Sequence, residues 1–336
     1  MHCAMNPGAV FLRRLVRFRG PALAFALVWA LAGTPAIAAP FAYVPNQKSG
    51  TISVIDTATD TVTRTLSAGG SLGKRLQALD ADSKGDVLYV VDAERNKLVA
   101  IDPATDSVKH SVDIGEDAEG VRLSPRGDVL AVCAEGQHKV LLVDPRTFKI
   151  EARIPTQGHN PEHCEFAPDA ALLLTSNEGS DNLDVIDLKQ KKSVGVIATS
   201  GHPRGAAFLP GTSHVYVAQE SANTVDVVDL AARKKIASIP TALRTAGITV
   251  SRDGKRVYAA NGGAGSVSVI DVATSKVIKE IPVGQRPWNM ALTPDGKKLY
   301  VANGRSNSVS VIDTAALAVV KEIPVGELPW GVIIPQ

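Results

Sequence analysis

An aspartate closes a Val/Ile-rich segment seven times, at Asp56, Asp102, Asp144, Asp187, Asp229, Asp271 and Asp313, with spacings of 46, 42, 43, 42, 42 and 42 residues. A fixed period of this length means one supersecondary unit repeated along the chain, and it overrides the two-domain expectation that length alone would give. Within a unit, Leu299-Tyr300-Val301-Ala302-Asn303, Ser308 to Asp313 and Val319 to Ile323 alternate with period two and are rich in β-branched residues, the pattern of strands. Turns such as Pro294-Asp295-Gly296-Lys297 and Arg252-Asp253-Gly254-Lys255 supply Pro to preset φ and Gly for a tight reversal. Four short strands per period predict an all-β, seven-bladed β-propeller with four-stranded blades.

The ends of the repeat array predict closure of the ring. Residues Phe41 to Pro45 read as the second strand of a unit, and Pro329 to Pro335 as a lone first strand. Joined, C-terminal strand A and N-terminal strands B to D make one sheet and leave no exposed edge. The segments Leu299 to Asn303, Val309-Ser310-Val311-Ile312-Asp313 and Ile323-Pro324-Val325-Gly326 resemble the YVTN repeat of bacterial and archaeal β-propellers. Repeats two to four drift, with Val91-Asp92, Cys133-Ala134 and Ser176-Asn177 in place of Ala302-Asn303, and no Trp-Asp dipeptide of the WD40 type occurs. The resemblance implies an extracytoplasmic setting. Some propellers of this kind accompany quinone-dependent alcohol oxidation, which implies an accessory role in periplasmic redox metabolism. It names no activity.

Residues 1–38 read as a secretory signal: Arg13, Arg14, Arg17 and Arg19, an apolar run from Pro21 to Leu31, then Ala36-Ile37-Ala38, with cleavage expected between Ala38 and Ala39. General secretion and twin-arginine export both remain open. Four of the 36 Lys and Arg and none of the 34 acidic residues lie there, so residues 39–336, expected to form the single propeller domain, carry a net charge of about −2. That balance gives no global field for nucleic acid. No later stretch approaches the roughly 20 apolar residues of a membrane span. A periplasmic or secreted monomer is expected. Cys133 and Cys164 fall in neighbouring repeats, where a bridge is conceivable and two buried free thiols are the plainer expectation.

Groups that recur in every blade serve the blade, so function is sought where the repeat varies. The corner leading into each first strand gives two such columns. One reads Arg75, Asp117, Asn160, His202, Arg244, Arg286 and Leu328, and the other Gln77, Glu119, Glu162, Arg204, Ala246, Trp288 and Trp330. The channel mouth is therefore expected to be polarised, with Arg75, His202, Arg204, Arg244 and Arg286 opposite Asp117, Glu119 and Glu162, and with Trp288 and Trp330 as an aromatic wall. Such a face suits a small anionic molecule or a periplasmic partner protein. His159, His163 and His202 are candidate metal ligands, and no cofactor is otherwise specified.

The alternatives are a lactonase-like hydrolase using His159, Glu162, His163, His202 and Arg204, a haem d1-like tetrapyrrole or metal binder, and a single-stranded nucleic-acid binder. No nucleophile elbow is credible at Gly69-Gly70-Ser71-Leu72-Gly73, because no helix follows. The loop from Leu66 to Leu72, a four-residue expansion of the first repeat, is expected to overhang the mouth.

Overall fold

A computed structural model describes residues 40–335. The secretory segment and its Ala38/Ala39 cleavage point lie outside these residues. The described chain forms six four-stranded antiparallel sheets and one of three strands, each built from consecutive strands. The three-stranded sheet, Phe41–Asn46, Thr51–Asp56 and Thr61–Leu66, is completed by the C-terminal segment. Tyr43 N–H donates to Ile333 O at 2.8 Å, Ile333 N–H to Tyr43 O at 3.0 Å, and Trp330 N–H to Pro45 O at 3.0 Å. This is the seven-bladed ring expected from the sequence. Blade 1 carries both ends, and blades 2 to 7 follow in order.

Innermost strands line the axis: Leu76–Ala81 in blade 2, Ala118–Leu123 in blade 3, Pro161–Phe166 in blade 4, Pro203–Phe208 in blade 5, Thr245–Val250 in blade 6 and Pro287–Leu292 in blade 7. The two middle strands of each blade are almost wholly buried, for example Lys298–Asn303 and Ser308–Asp313 in blade 7. Their Val, Ile, Leu and Ala side chains interleave between adjacent blades. Outermost strands such as Ala318–Pro324 are largely exposed.

The recurring aspartate serves its own turn. Asp56 Oδ1 accepts Ala58 N–H at 2.7 Å and Thr59 N–H at 3.2 Å, and Asp102, Asp144, Asp229 and Asp313 repeat the arrangement. Such Asx turns close the hairpin to the outer strand. The backbone donors hold Asp102 and Asp144 below the usual carboxylate range. The strand-end asparagines serve the sheet rather than the turn. Buried Asn303 Nδ2 reaches across the sheet to Ser308 and Ser310 Oγ at 3.3 and 2.8 Å and to Glu322 at 3.1 Å, tying three strands together.

The loop after Leu66 is pinned. Ser67 and Ala68 amides donate to Asp106, Leu66, Ala68 and Leu72 are buried between blades 1 and 2, and Gly73 N–H donates to Asp92 at 2.8 Å. No residue of it lines the central cavity.

Cys133 and Cys164 are joined by a disulfide with Cα atoms 6.2 Å apart, which corrects the expectation of two free thiols. The residues sit on facing strands of blades 3 and 4, and Cys133 is fully buried. The bridge closes a loop over a sequence separation of 31 residues, so replacing both cysteines by alanine is expected to cost about 3–4 kcal/mol. Urea midpoints of oxidised wild type and the double variant check this. Two titratable thiols in the unreduced protein would exclude the bridge, and equal midpoints would mean that it adds no stability.

Candidate functional site

The corner that leads into the innermost strand turns through the left-handed region in every blade but the second. In the first variable column φ is 48° at Asp117, 57° at Asn160, 54° at His202, 58° at Arg244, 55° at Arg286 and 56° at Leu328. Non-glycine residues rarely take this conformation. Its recurrence marks it as blade geometry that aims unlike side chains toward one opening, here termed the upper mouth.

The same corners bring in a third column that the sequence reading missed. The carbonyls of Asp117, Asn160 and His202 accept the N–H groups of Glu135, Glu178 and Glu220, which follow the second strands of blades 3, 4 and 5. Gln47, Ala93, Gly262 and Gly304 occupy that position in the other blades. Three consecutive glutamates in an otherwise small or neutral column were the available signal.

These acids neutralise much of the expected basic arc. Arg204 Nη1 lies 2.6 Å from Glu162 Oε2, 2.9 Å from Glu178 Oε2 and 3.6 Å from Glu220 Oε2, with its side chain 15% exposed. Arg244 meets Glu220 Oε1 at 2.5 Å, and Arg286 reaches the same oxygen at 3.5 Å. His202 Nε2 bonds Glu178 at 2.9 Å. Arg75 stands apart from the arc and forms a solvated pair with Asp117 at 3.4 Å. On the acidic side Gln47 donates to Gln77 at 2.8 Å, Gln77 to Glu119 at 3.0 Å, and Asn160 to Glu135 at 3.1 Å.

The second column fills the opening: Gln77 is 4%, Glu162 1%, Ala246 6% and Trp330 8% exposed. Trp330 packs into the core of blades 2 and 3 and stacks at a tilt on His163, 5.7 Å between ring centres. Trp288 lies under the Arg286 guanidinium at 5.5 Å, and its buried Nε1 has no hydrogen-bond partner. Beneath this layer His163, Asn289, Arg122 and Glu165 help line a cavity of about 110 Å³.

Protonation is unusual here. Burial, against the opposing pull of Arg204, pushes Glu162 up to about 8. Burial and the neighbouring Glu162 charge push Glu119 to about 7, and burial with Glu119 pushes Glu135 to about 7. Burial and the Arg204 charge push His163 down to about 3, so it is a neutral imidazole. Burial opposes ionisation of Glu178, but hydrogen bonds from His202 and Glu162 and the Arg204 charge hold it well below the usual range. Glu220, also opposed by burial, is held down by Arg204, Arg244 and Arg286. The Glu178 hydrogen bond raises His202. A protonated Glu162 donating to an ionised Glu178 fits both shifts.

The candidate metal ligands do not converge. His159 packs edge-on against His138 at 5.2 Å, His163 faces Trp330, and His202 is committed to Glu178 and Glu220. Among the described residues no group of three or more His, Cys, Asp or Glu is disposed to hold a metal ion.

Residues 186–322, less than half of the chain, match the family model described as Lactonase, 7-bladed beta-propeller. No curated protein matches the chain. Among solved structures, hydrazine synthase of Kuenenia stuttgartiensis is 22% identical, with 85% of this chain and 99% of that chain covered and a TM-score of 0.75. A functionally unknown protein from Desulfotomaculum acetoxidans is 18% identical, with 88% and 98% covered and a TM-score of 0.75. Dihydro-heme d1 dehydrogenase NirN in complex with DHE is 15% identical, with 90% and 76% covered and a TM-score of 0.68. The propeller architecture is shared with these structures, and the likeness in sequence is to seven-bladed lactonases over residues 186–322.

Proposed function

We propose that the protein is a binding propeller whose upper mouth holds a small organic anion, or an anionic group of a partner protein, on blades 5 to 7. The reading rests on one observation. Three guanidinium groups, Arg204, Arg244 and Arg286, converge on the single carboxylate of Glu220, and burial together with the Arg244 charge lowers the basicity of Arg286. An incoming carboxylate relieves that crowding and takes charge-assisted hydrogen bonds. The Cys133–Cys164 bridge supports an oxidising, extracytoplasmic setting, in which an accessory role to redox metabolism is consistent. A tetrapyrrole would have to displace the buried Glu162–Arg204 layer, and the acids facing the arginines disfavour nucleic acid.

Thermal-shift titration with citrate, gluconate and benzoate tests the reading. At least one is expected to stabilise the fold by mass action, and Arg244→Ala/Arg286→Ala is expected to weaken its binding roughly tenfold or more. No shift with any of the three, or an unchanged shift in the double variant, would reject it.

A second reading, lactone hydrolysis, is supported by the family match and by carboxyls near neutrality at Glu119 and Glu162. Turnover of a lactone panel at pH 7 that falls at least about a hundredfold in Glu162→Gln would favour it. Absence of turnover by folded protein would remove it.

A further inference from the structure

The opposite end of the channel carries a cavity that the upper-mouth chemistry does not use. It measures about 630 Å³ and opens between the turns that join the first and second strands of the blades. That size suits a drug-sized ligand. Its two sides differ. One crescent, from blades 5, 6, 7 and 1, is apolar apart from Thr249 and Arg252, with Ala207, Ile248, Val250, Ala291 and Ile333 among its lining residues and all partly exposed. The other, mainly from blades 2 to 4, carries charge that is already matched.

Arg122 Nε and Nη2 both bond Glu165 Oε2, at 3.0 and 2.6 Å. Asp80 accepts the Ala81 and Leu123 amides at 2.9 and 2.7 Å. Arg126 is held by Asp128 and by the carbonyls of Asp169 and Ala170 at 3.3, 3.2 and 3.0 Å. The lining carboxylates Asp80, Asp82 and Glu165 face an equal number of guanidinium groups, Arg122, Arg126 and Arg252. A charged ligand therefore meets no unmatched countercharge, while a neutral head that both donates and accepts can bridge the Arg122–Glu165 pair.

We propose that this lower mouth binds an uncharged amphipathic small molecule, its apolar body against blades 5 to 7 and its donor–acceptor head at Arg122 and Glu165. Wet apolar side chains in a concave, charge-balanced wall gain from such a ligand by burial, and the paired head site rejects ions that would lose hydration without compensation.

The test uses the propeller chain and N-phenyl-1-naphthylamine, an uncharged fluorophore, with decanamide, decanoate and decylamine as competitors. Saturable fluorescence enhancement is expected, with decanamide displacing the dye at least tenfold better than decanoate or decylamine. Ala207→Phe and Ala291→Phe, on different blades, are each expected to weaken dye binding at least tenfold while the protein stays folded. No saturable enhancement, equal displacement by the three competitors, or unchanged affinity in both phenylalanine variants would overturn the proposal. The competitor series uses wild-type protein, so it decides the matter even where a variant fails to fold.

Discussion

Truncation after Gly326 is expected to abolish cooperative folding of the propeller. The missing segment supplies the innermost strand of blade 1 and its backbone bonds to Tyr43, Pro45 and Gln47 at 2.8 to 3.0 Å. It also buries Trp330, Val332 and Ile334, which are 8, 3 and 4% exposed. At about 1.5–3 kcal/mol for each large buried side chain, their loss is about 5–9 kcal/mol. That is comparable to the whole stability of a typical domain, about 5–15 kcal/mol. The cut also frees the hydrogen-bonding edge of Phe41–Asn46, an invitation to intermolecular pairing. Size-exclusion chromatography and urea unfolding should show aggregated or non-cooperative material. A monomeric truncated chain with the wild-type midpoint would mean that the ring does not depend on this closure.

The fold was legible because the residues that announce it do the same job in each blade. The Asp at each strand end caps its own turn through contacts two or three residues away, so its effect is local and its spacing counts blades directly. The two variable columns were legible as columns for the same reason, since they follow one fixed corner. Glu135, Glu178 and Glu220 were not, because they lie on a different turn of the chain and are brought to the corner by backbone bonds to Asp117, Asn160 and His202. Without them Arg204 reads as part of a basic arc, whereas it sits among Glu162, Glu178 and Glu220. The disulfide escaped for a related reason. Strand alternation gives the face on which Cys133 and Cys164 lie, but not whether neighbouring blades pack with the two residues opposite each other, and here their Cα atoms stand 6.2 Å apart. The lower mouth depends on Arg122 and Glu165, 43 positions apart on adjacent innermost strands, a pairing that follows only from blade register.

Arg204→Met should be among the most damaging single substitutions in the chain, costing about 3–5 kcal/mol, because it removes the cation common to Glu162, Glu178 and Glu220 while keeping an unbranched side chain in the space. The loss should also depend on pH. Glu162 at about 8, and Glu119 and Glu135 at about 7, lie above their ordinary 4.5. Between about pH 4.5 and 8 the folded protein therefore holds more protons than the unfolded chain, and these groups make stability fall as pH rises. His163, held at about 3 instead of 6.5, refuses a proton that the unfolded chain accepts, so its contribution falls as pH drops below about 6.5. With Arg204 gone, Glu162, Glu119 and Glu135 lose the charge that favours their ionised forms, and the cost of ionising them at high pH grows. Urea midpoints of wild type and Arg204→Met should thus differ more at pH 8.5 than at pH 6, and Arg204→Met/Glu162→Gln should recover part of the loss at pH 8.5. A pH-independent difference with no recovery would show that Arg204 matters for its packing and not for its charge.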